Sequence, residues 1–200
     1  KREYAYGFII FLAAAFDHLH LRVDQLYIKA MLDNAQLGIY TLSVTLSELM
    51  FMVPGSITTA LTARLYNPCG ERSSEELIAK TFNMTLYVCI ALALIAIPAS
   101  FAIPLVYGRD FTAAIYSTLI LIPGVVFASL ARVATPYFFT SGRPQVHLRV
   151  ALTALVTNCI LNYPMIKLWG INGAAIASTI SYFVYGCSYI YILIRKEKFK

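Results

Sequence analysis

Residues 81–103, TFNMTLYVCIALALIAIPASFAI, run for 23 positions without one Asp, Glu, Lys or Arg. A helix needs about 20 apolar residues to cross a hydrocarbon core of about 30 Å. This stretch is long enough, and it is not alone. Outward from it the sequence predicts six spanning segments, at about residues 4–32, 38–66, 77–103, 112–139, 145–166 and 170–194. Several exceed the minimum, which calls for tilt, kinks or interfacial ends. The turns between them carry breaker chemistry, as in Asn67-Pro68-Cys69-Gly70 and Ser141-Gly142-Arg143-Pro144.

Composition supports the same class. Hydrophobic residues make up 59% of the chain and charged residues 13%, about half the charged share of ordinary soluble domains. A soluble bundle of six such stretches would have too little polar surface to stay in solution. The expected fold is therefore all-α, an integral membrane bundle of six helices forming one unit over residues 1–200. Cys69, Cys89, Cys159 and Cys187 match no zinc or redox spacing. No HExxH, GxSxG or phosphate-binding glycine loop is present, so no enzyme chemistry is expected. The net charge of +6 is not gathered into a basic cluster with interleaved aromatics, so no nucleic-acid partner is expected.

The placement of the charges gives an orientation. With the N-terminus in the cytoplasm, the inner positions hold Lys1, Arg2, Arg64, Arg72, Lys80, Arg143, Arg149, Arg195, Lys196, Lys198 and Lys200. The outer positions hold Lys29, Arg109 and Lys167. Eleven against three is a strong positive-inside bias. It places both ends in the cytoplasm and requires an even number of spans. The first residue is Lys1 rather than Met, and the first apolar run lacks a cleavage site, so a piece of a longer chain is expected.

Charged groups inside spans are costly and mark cavities or ion-pair partners. The first span carries Asp17, His18, His20, Arg22 and Asp24. At 100° per residue, Asp17, His20 and Asp24 share one face, and His18 and Arg22 share another. These faces form either a charged cavity wall or a network that locks helices together. An Asp-His-Asp metal set is geometrically open, but nothing else in the sequence supports a metal. Glu48 in the second span lies about 6 Å outward of its span centre, and Arg22 about 9 Å outward of its own, counting 1.5 Å per residue. The similar depths predict an ion pair if the helices are neighbours. Pro54-Gly55 predicts a kink close by. Ser56, Thr58, Thr59 and Thr62 follow, with hydroxyls able to bond freed carbonyls. Arg132 either snorkels to the inner interface or binds an anionic group. Asn158 and Asn162, one turn apart, suit hydrogen bonds between helices. Gly173 and Ala177, within a run of small residues, suit close helix packing.

These residues carry a resemblance. The segment LRVDQLYIKAMLDNAQLGIYTLSVTLSEL (21–49) resembles the start of the C-terminal half of Wzx-type polysaccharide and O-antigen flippases. That family belongs to the multidrug/oligosaccharidyl-lipid/polysaccharide exporter superfamily. The shared pattern falls on Arg22, Asp24, Gly38, Tyr40 and Glu48. YGRDFTAA (107–114), SGRPQ (141–145) and WGINGAAIASTIS (169–181) resemble further family segments in the same order. The resemblance covers about residues 20–195 and leaves the His18/His20 pair unassigned.

It implies one lobe of a two-lobe transporter in the bacterial cytoplasmic membrane. The N-terminal lobe would be supplied by a missing segment or a second copy. The implied activity is flipping of an undecaprenyl-diphosphate-linked oligosaccharide for surface polysaccharide synthesis. Arg22 and Arg132 would hold the diphosphate. Asp17, Asp24 and Glu48 would balance them or carry a coupling proton or cation, with no other cofactor. Polysaccharide-assembly proteins are implied partners. Two rivals remain at this stage: a cation-coupled multidrug exporter of the same superfamily, and a membrane scaffold for glycan-assembly enzymes.

Overall fold

A computed structural model describes residues 2–66 and 74–197. The Asn67–Gly70 turn and the cations Lys1, Arg72, Lys198 and Lys200 lie outside the described residues. Among those described, every regular element is helical. Helices α1 (Arg2–His20) and α2 (Val23–Met31) form the first segment. The second holds α3 (Asn34–Glu48), a short 3-10 turn (Leu49–Phe51) and α4 (Met52–Tyr66). Then come α5 (Ser74–Ser100), the short α6 (Ile103–Tyr107), α7 (Ala113–Thr140) and α8 (Pro144–Glu197). By length and apolarity four helices could cross a membrane, or five when the bent α1–α2 pair counts as one span. Gly170 divides the last of them into two arms. The predicted segments fall on helical residues, and the breaks within them lie where periodicity did not place them.

Three breaks have local causes. The bend between α1 and α2 is 43°. There Arg22 N–H bonds the Leu19 carbonyl, three residues back instead of four. The second break is the 3-10 turn at Leu49–Phe51, one turn ahead of Pro54. Pro54 has no N–H for the Met50 carbonyl, and the ladder tightens just before it. The hydroxyls of Ser56, Thr58, Thr59 and Thr62 do not bond that carbonyl. They bond those of Met52, Pro54, Gly55 and Thr58, each one turn back. The third break is Gly170, with φ 56 and ψ −134. That positive φ disfavours a side chain, and it folds α8 back on itself. At the entry to α3, Asp33 accepts 2.7 Å from the Gln36 amide and caps the helix. The same bond pulls the exposed Asp33 carboxyl below its usual range.

The core is organised about α7, which packs against α3, α4, α5 and α8. Small residues allow the close approaches. A Cβ at Gly173 would lie 1.9 Å from the Met165 carbonyl oxygen, across the α8 hairpin. One at Gly124 would lie 2.9 Å from Thr179 Cα, and one at Gly186 would lie 2.8 Å from the Phe127 carbonyl oxygen. Ala174, Ala175 and Ala177 are fully buried. Hydroxyls then tie the helices: Thr179 to the Ile120 carbonyl at 2.7 Å, and Ser43 to that of Ala114 at 3.1 Å. By contrast α5 leaves Tyr87, Leu94 and Ile95 exposed, as a lipid-facing helix does.

Candidate functional site

A cleft of about 440 Å³ opens among α1, α4, α7 and both arms of α8. Asp17 and His18 come from α1, Thr58, Thr62 and Tyr66 from α4, Arg132 and Thr135 from α7, and His147 and Tyr185 from α8. Its position follows from the breaks. Gly170 turns α8 back, so that His147 and Tyr185, 38 positions apart in sequence, reach one wall.

Arg132 is the cation of this cleft. Its guanidinium lies over the Phe51 ring, 4.1 Å from the centroid. A cation over an aromatic face is attracted by the ring quadrupole, with its N–H groups left free for other acceptors. Among the described residues no carboxylate pairs with it. Phe51 belongs to the 3-10 turn ahead of Pro54, so that break supplies the seat for Arg132.

Arg22 is placed differently. Its Nη2 donates to Glu48 Oε2 at 2.8 Å, with the two side chains 51% and 20% exposed. The ion pair expected from matched depths is present. It joins the bend after α1 to the end of α3, and neither residue lines the cleft. Asp24 is also absent from the cleft. It is buried, with Oδ2 accepting from Tyr40 at 2.6 Å and Ser178 at 2.8 Å, and Oδ1 accepting from the Gln25 amide at 2.7 Å. Three donors around one buried carboxylate tie α2, α3 and the second arm of α8 together. Of the charged residues singled out from sequence, the structure brings Asp17 and Arg132 to the cleft with His18. It gathers Arg22 with Glu48, and sets Asp24 apart.

His20 is buried, with Nε2 2.7 Å from Ser181 Oγ and its ring edge-on to Tyr182 at 5.2 Å. Asn158 Nδ2 donates 3.1 Å to the His20 carbonyl, at the last residue of α1. Asn162 bonds Asn158 Oδ1 at 2.7 Å, holding that amide in place. The pair thus ties the first arm of α8 to the α1–α2 bend. No metal-competent group of three His, Cys, Asp or Glu occurs among the described residues, and Asp17, His20 and Asp24 point into different surroundings.

Sequence reasoning missed His147, Tyr185 and Tyr189. His147 Nδ1 shares a short hydrogen bond with the Tyr189 hydroxyl, which lies 3.4 Å from Thr135 Oγ1. Tyr185 stacks edge-on against Tyr189 at 5.4 Å, and its buried hydroxyl lies beside the Asp17 carboxylate and the Tyr189 hydroxyl. The signal was present. Tyr182, Tyr185 and Tyr189 are spaced by three and four residues, which sets them on one helix face.

No family model and no curated protein matches the chain. Two solved structures share its fold over nearly its whole length. One is an outward-facing multidrug resistance MATE family transporter of the MOP superfamily, with a TM-score of 0.79 and 15% identity over 95% of this chain and 44% of its own. The other is a MOP superfamily transporter from Pyrococcus furiosus, with a TM-score of 0.77 and 15% identity over 94% of this chain and 43% of its own. The chain thus has the all-α fold of one half of such a transporter. It spans less than half the length of either structure.

Proposed function

We propose that the chain is one lobe of a Wzx-type flippase that moves an undecaprenyl-diphosphate-linked oligosaccharide across the bacterial cytoplasmic membrane. The observation that carries this is Arg132, a cation without a carboxylate partner on the wall of a cleft of about 440 Å³. An anionic headgroup would bind there by charge-assisted hydrogen bonds. Hydroxyls of Thr58, Thr62 and Thr135 and the ring of Tyr66 line the same cleft and suit a glycan. A polar glycan needs such shelter, because its passage through hydrocarbon would leave its hydroxyls unpaired. A second lobe, from the same polypeptide or from another copy, would close the cavity. Rocking between the lobes would then alternate access. Asp17, on the cleft wall, would carry a coupling proton or cation.

A second reading is a multidrug exporter, which one similar structure is. Asp17 on the cleft wall favours it, because a carboxylate attracts a cationic drug. For the other similar structure, reversed polarity of the binding pocket suggests a different function, so polarity is the property to measure. The test is to delete the gene and follow lipid-linked oligosaccharide in the inner leaflet together with surface polysaccharide. The flippase reading expects accumulated precursor and a bare surface, both restored by the wild-type gene and not by Arg132→Gln. An unchanged envelope with new drug sensitivity would establish the exporter instead.

A further inference from the structure

One wall of the cleft holds a connected row of titratable groups that Arg132 does not need for binding an anion. His147, in the first turn of α8, shares a short hydrogen bond through Nδ1 with the Tyr189 hydroxyl. Tyr189 packs edge-on against Tyr185 at 5.4 Å, and the two hydroxyls are hydrogen-bond-coupled. The Tyr185 hydroxyl is coupled in turn to the Asp17 carboxylate. The row therefore runs Asp17–Tyr185–Tyr189–His147. Both tyrosines and the histidine are buried, and Asp17, Tyr185 and His147 line the cleft. Tyr185 and Tyr189 are one helical turn apart, so the row climbs the second arm of α8 by about 6 Å. Phe139 covers the imidazole edge-on at 5.2 Å.

The row is defined by its protons. Four groups in line have three links, and each link needs one hydrogen. A phenol is a stronger acid than a neutral imidazole N–H, so Tyr189 donates to the neutral ring and the ring proton sits on Nε2. The phenols then supply two hydrogens, and a bare Nδ1 and an ionised carboxylate supply none. One added proton fills the row in either of two ways. Placed on Asp17, it makes the carboxyl donate to Tyr185, Tyr185 to Tyr189, and Tyr189 to Nδ1. Placed on Nδ1, it makes His147 donate to Tyr189, Tyr189 to Tyr185, and Tyr185 to the carboxylate. The two states interconvert when three protons each move one link. O–H bonds break at Asp17, Tyr185 and Tyr189, and new bonds form at Tyr185, Tyr189 and Nδ1. Asp17 ends ionised, His147 ends as imidazolium, and neither phenol is left charged.

We propose that Asp17 and His147 share one exchangeable proton through Tyr185 and Tyr189, and that this row is the proton-binding site of the lobe. This rests on the transport reading and commits its coupling ion to a proton. A metal cation needs a shell of oxygen ligands, and at Asp17 it would meet a phenol hydrogen instead. No group of three His, Cys, Asp or Glu that could hold one occurs among the described residues. The other charged and titratable groups facing the row are His18 and His20 from α1, Tyr66 from α4 and Arg132 from α7. Thr135 Oγ1, also from α7, lies 3.4 Å from the Tyr189 hydroxyl and steadies the middle of the row.

The experiment uses the full chain in lipid nanodiscs, with isotope-labelled histidine titrated by NMR from about pH 5 to about pH 9. The His147 signal is the one that His147→Gln removes, and the thermal midpoint of each variant is measured in parallel. Groups that share a proton titrate as a pair. Asp17→Asn should therefore move the His147 titration midpoint by about one pH unit or more. In a Tyr185→Phe or a Tyr189→Phe background, the same substitution should move it far less. A through-space field survives the loss of a phenol hydroxyl, and a relay does not. Two phenol variants are used so that one misfolded protein still leaves the other to decide. The proposal is overturned if Asp17→Asn leaves the His147 midpoint unmoved in the otherwise wild-type chain. It is overturned as well if the shift is equally large in a folded phenol variant, because the row is then structural and the coupling is a field. A working relay with an unchanged envelope in the deletion strain would keep the proton site and reject the flippase. A failed relay with accumulated precursor would keep the flippase and reject the proton site.

Discussion

Arg22 and Arg132 are both arginines within apolar segments, and the structure treats them differently. Arg22 meets Glu48 at 2.8 Å, and half of its side chain remains exposed. Arg132 meets a ring, Phe51, and a cleft. The first is neutralised by an opposite charge and stitches two helix breaks. The second keeps its charge available, since an aromatic face attracts a cation without cancelling it. The lesson is that a charge at membrane depth acquires its role from its partner, and the partner comes from another helix. The carboxylates repeat the contrast. Asp24 is enclosed by the donors Tyr40, Ser178 and Gln25, while Asp17 faces the cleft.

The largest effect should separate the two arginines. Arg132→Gln removes the free cation, and if the chain is the proposed flippase lobe, transport of lipid-linked oligosaccharide into the outer leaflet should fall by about ten- to a hundredfold. Arg22→Gln should fall far less. Equal losses in a leaflet-resolved assay would erase the distinction. Next comes Asp24→Ala, which leaves the Tyr40 and Ser178 hydroxyls without their acceptor. Each buried orphan costs about 1–3 kcal/mol, so the thermal midpoint should drop clearly. An unchanged midpoint would mean that Asp24 is not the tie it looks to be. Asp17→Asn sharpens the polarity question. It should leave stability within about 0.5 kcal/mol and tighten pyrophosphate binding about two- to fivefold by removing a like charge. Weaker binding of a lipophilic cation without any gain for pyrophosphate would favour the exporter. The smallest effect belongs to Arg22 and Glu48 together. A double-mutant cycle on stability should return a coupling of about 0.2–1 kcal/mol, as for exposed pairs. Strict additivity would show that the pair contributes nothing.

Much of the helical framework was legible in the sequence, because the apolar runs are long and nearly uncharged. The Arg22–Glu48 pair was legible as well, since rise per residue converts sequence position into depth. The interior of the segments was less readable. Pro54 announced a kink, but the break lies a turn earlier, at Leu49–Phe51, where the missing amide of Pro54 tightens the ladder. The α1–α2 bend has no proline or glycine at Leu21 or Arg22 to announce it.

By itself the sequence determined the class: an all-helical chain whose apolar stretches require lipid as solvent, with a turn at Ser141-Gly142-Arg143-Pro144. It also marked Gly173 as a position for close packing, and the structure supplies the neighbour, the Met165 carbonyl, that a side chain there would strike. Only the tertiary structure decided which polar groups meet. His147 and Tyr185 converge because Gly170 reverses α8, and Phe51, from the 3-10 turn, lies under the Arg132 guanidinium of another helix. Periodicity assigns a residue to a face of its own helix. Which helix covers that face depends on packing between elements distant in sequence, and that information resides in no local pattern.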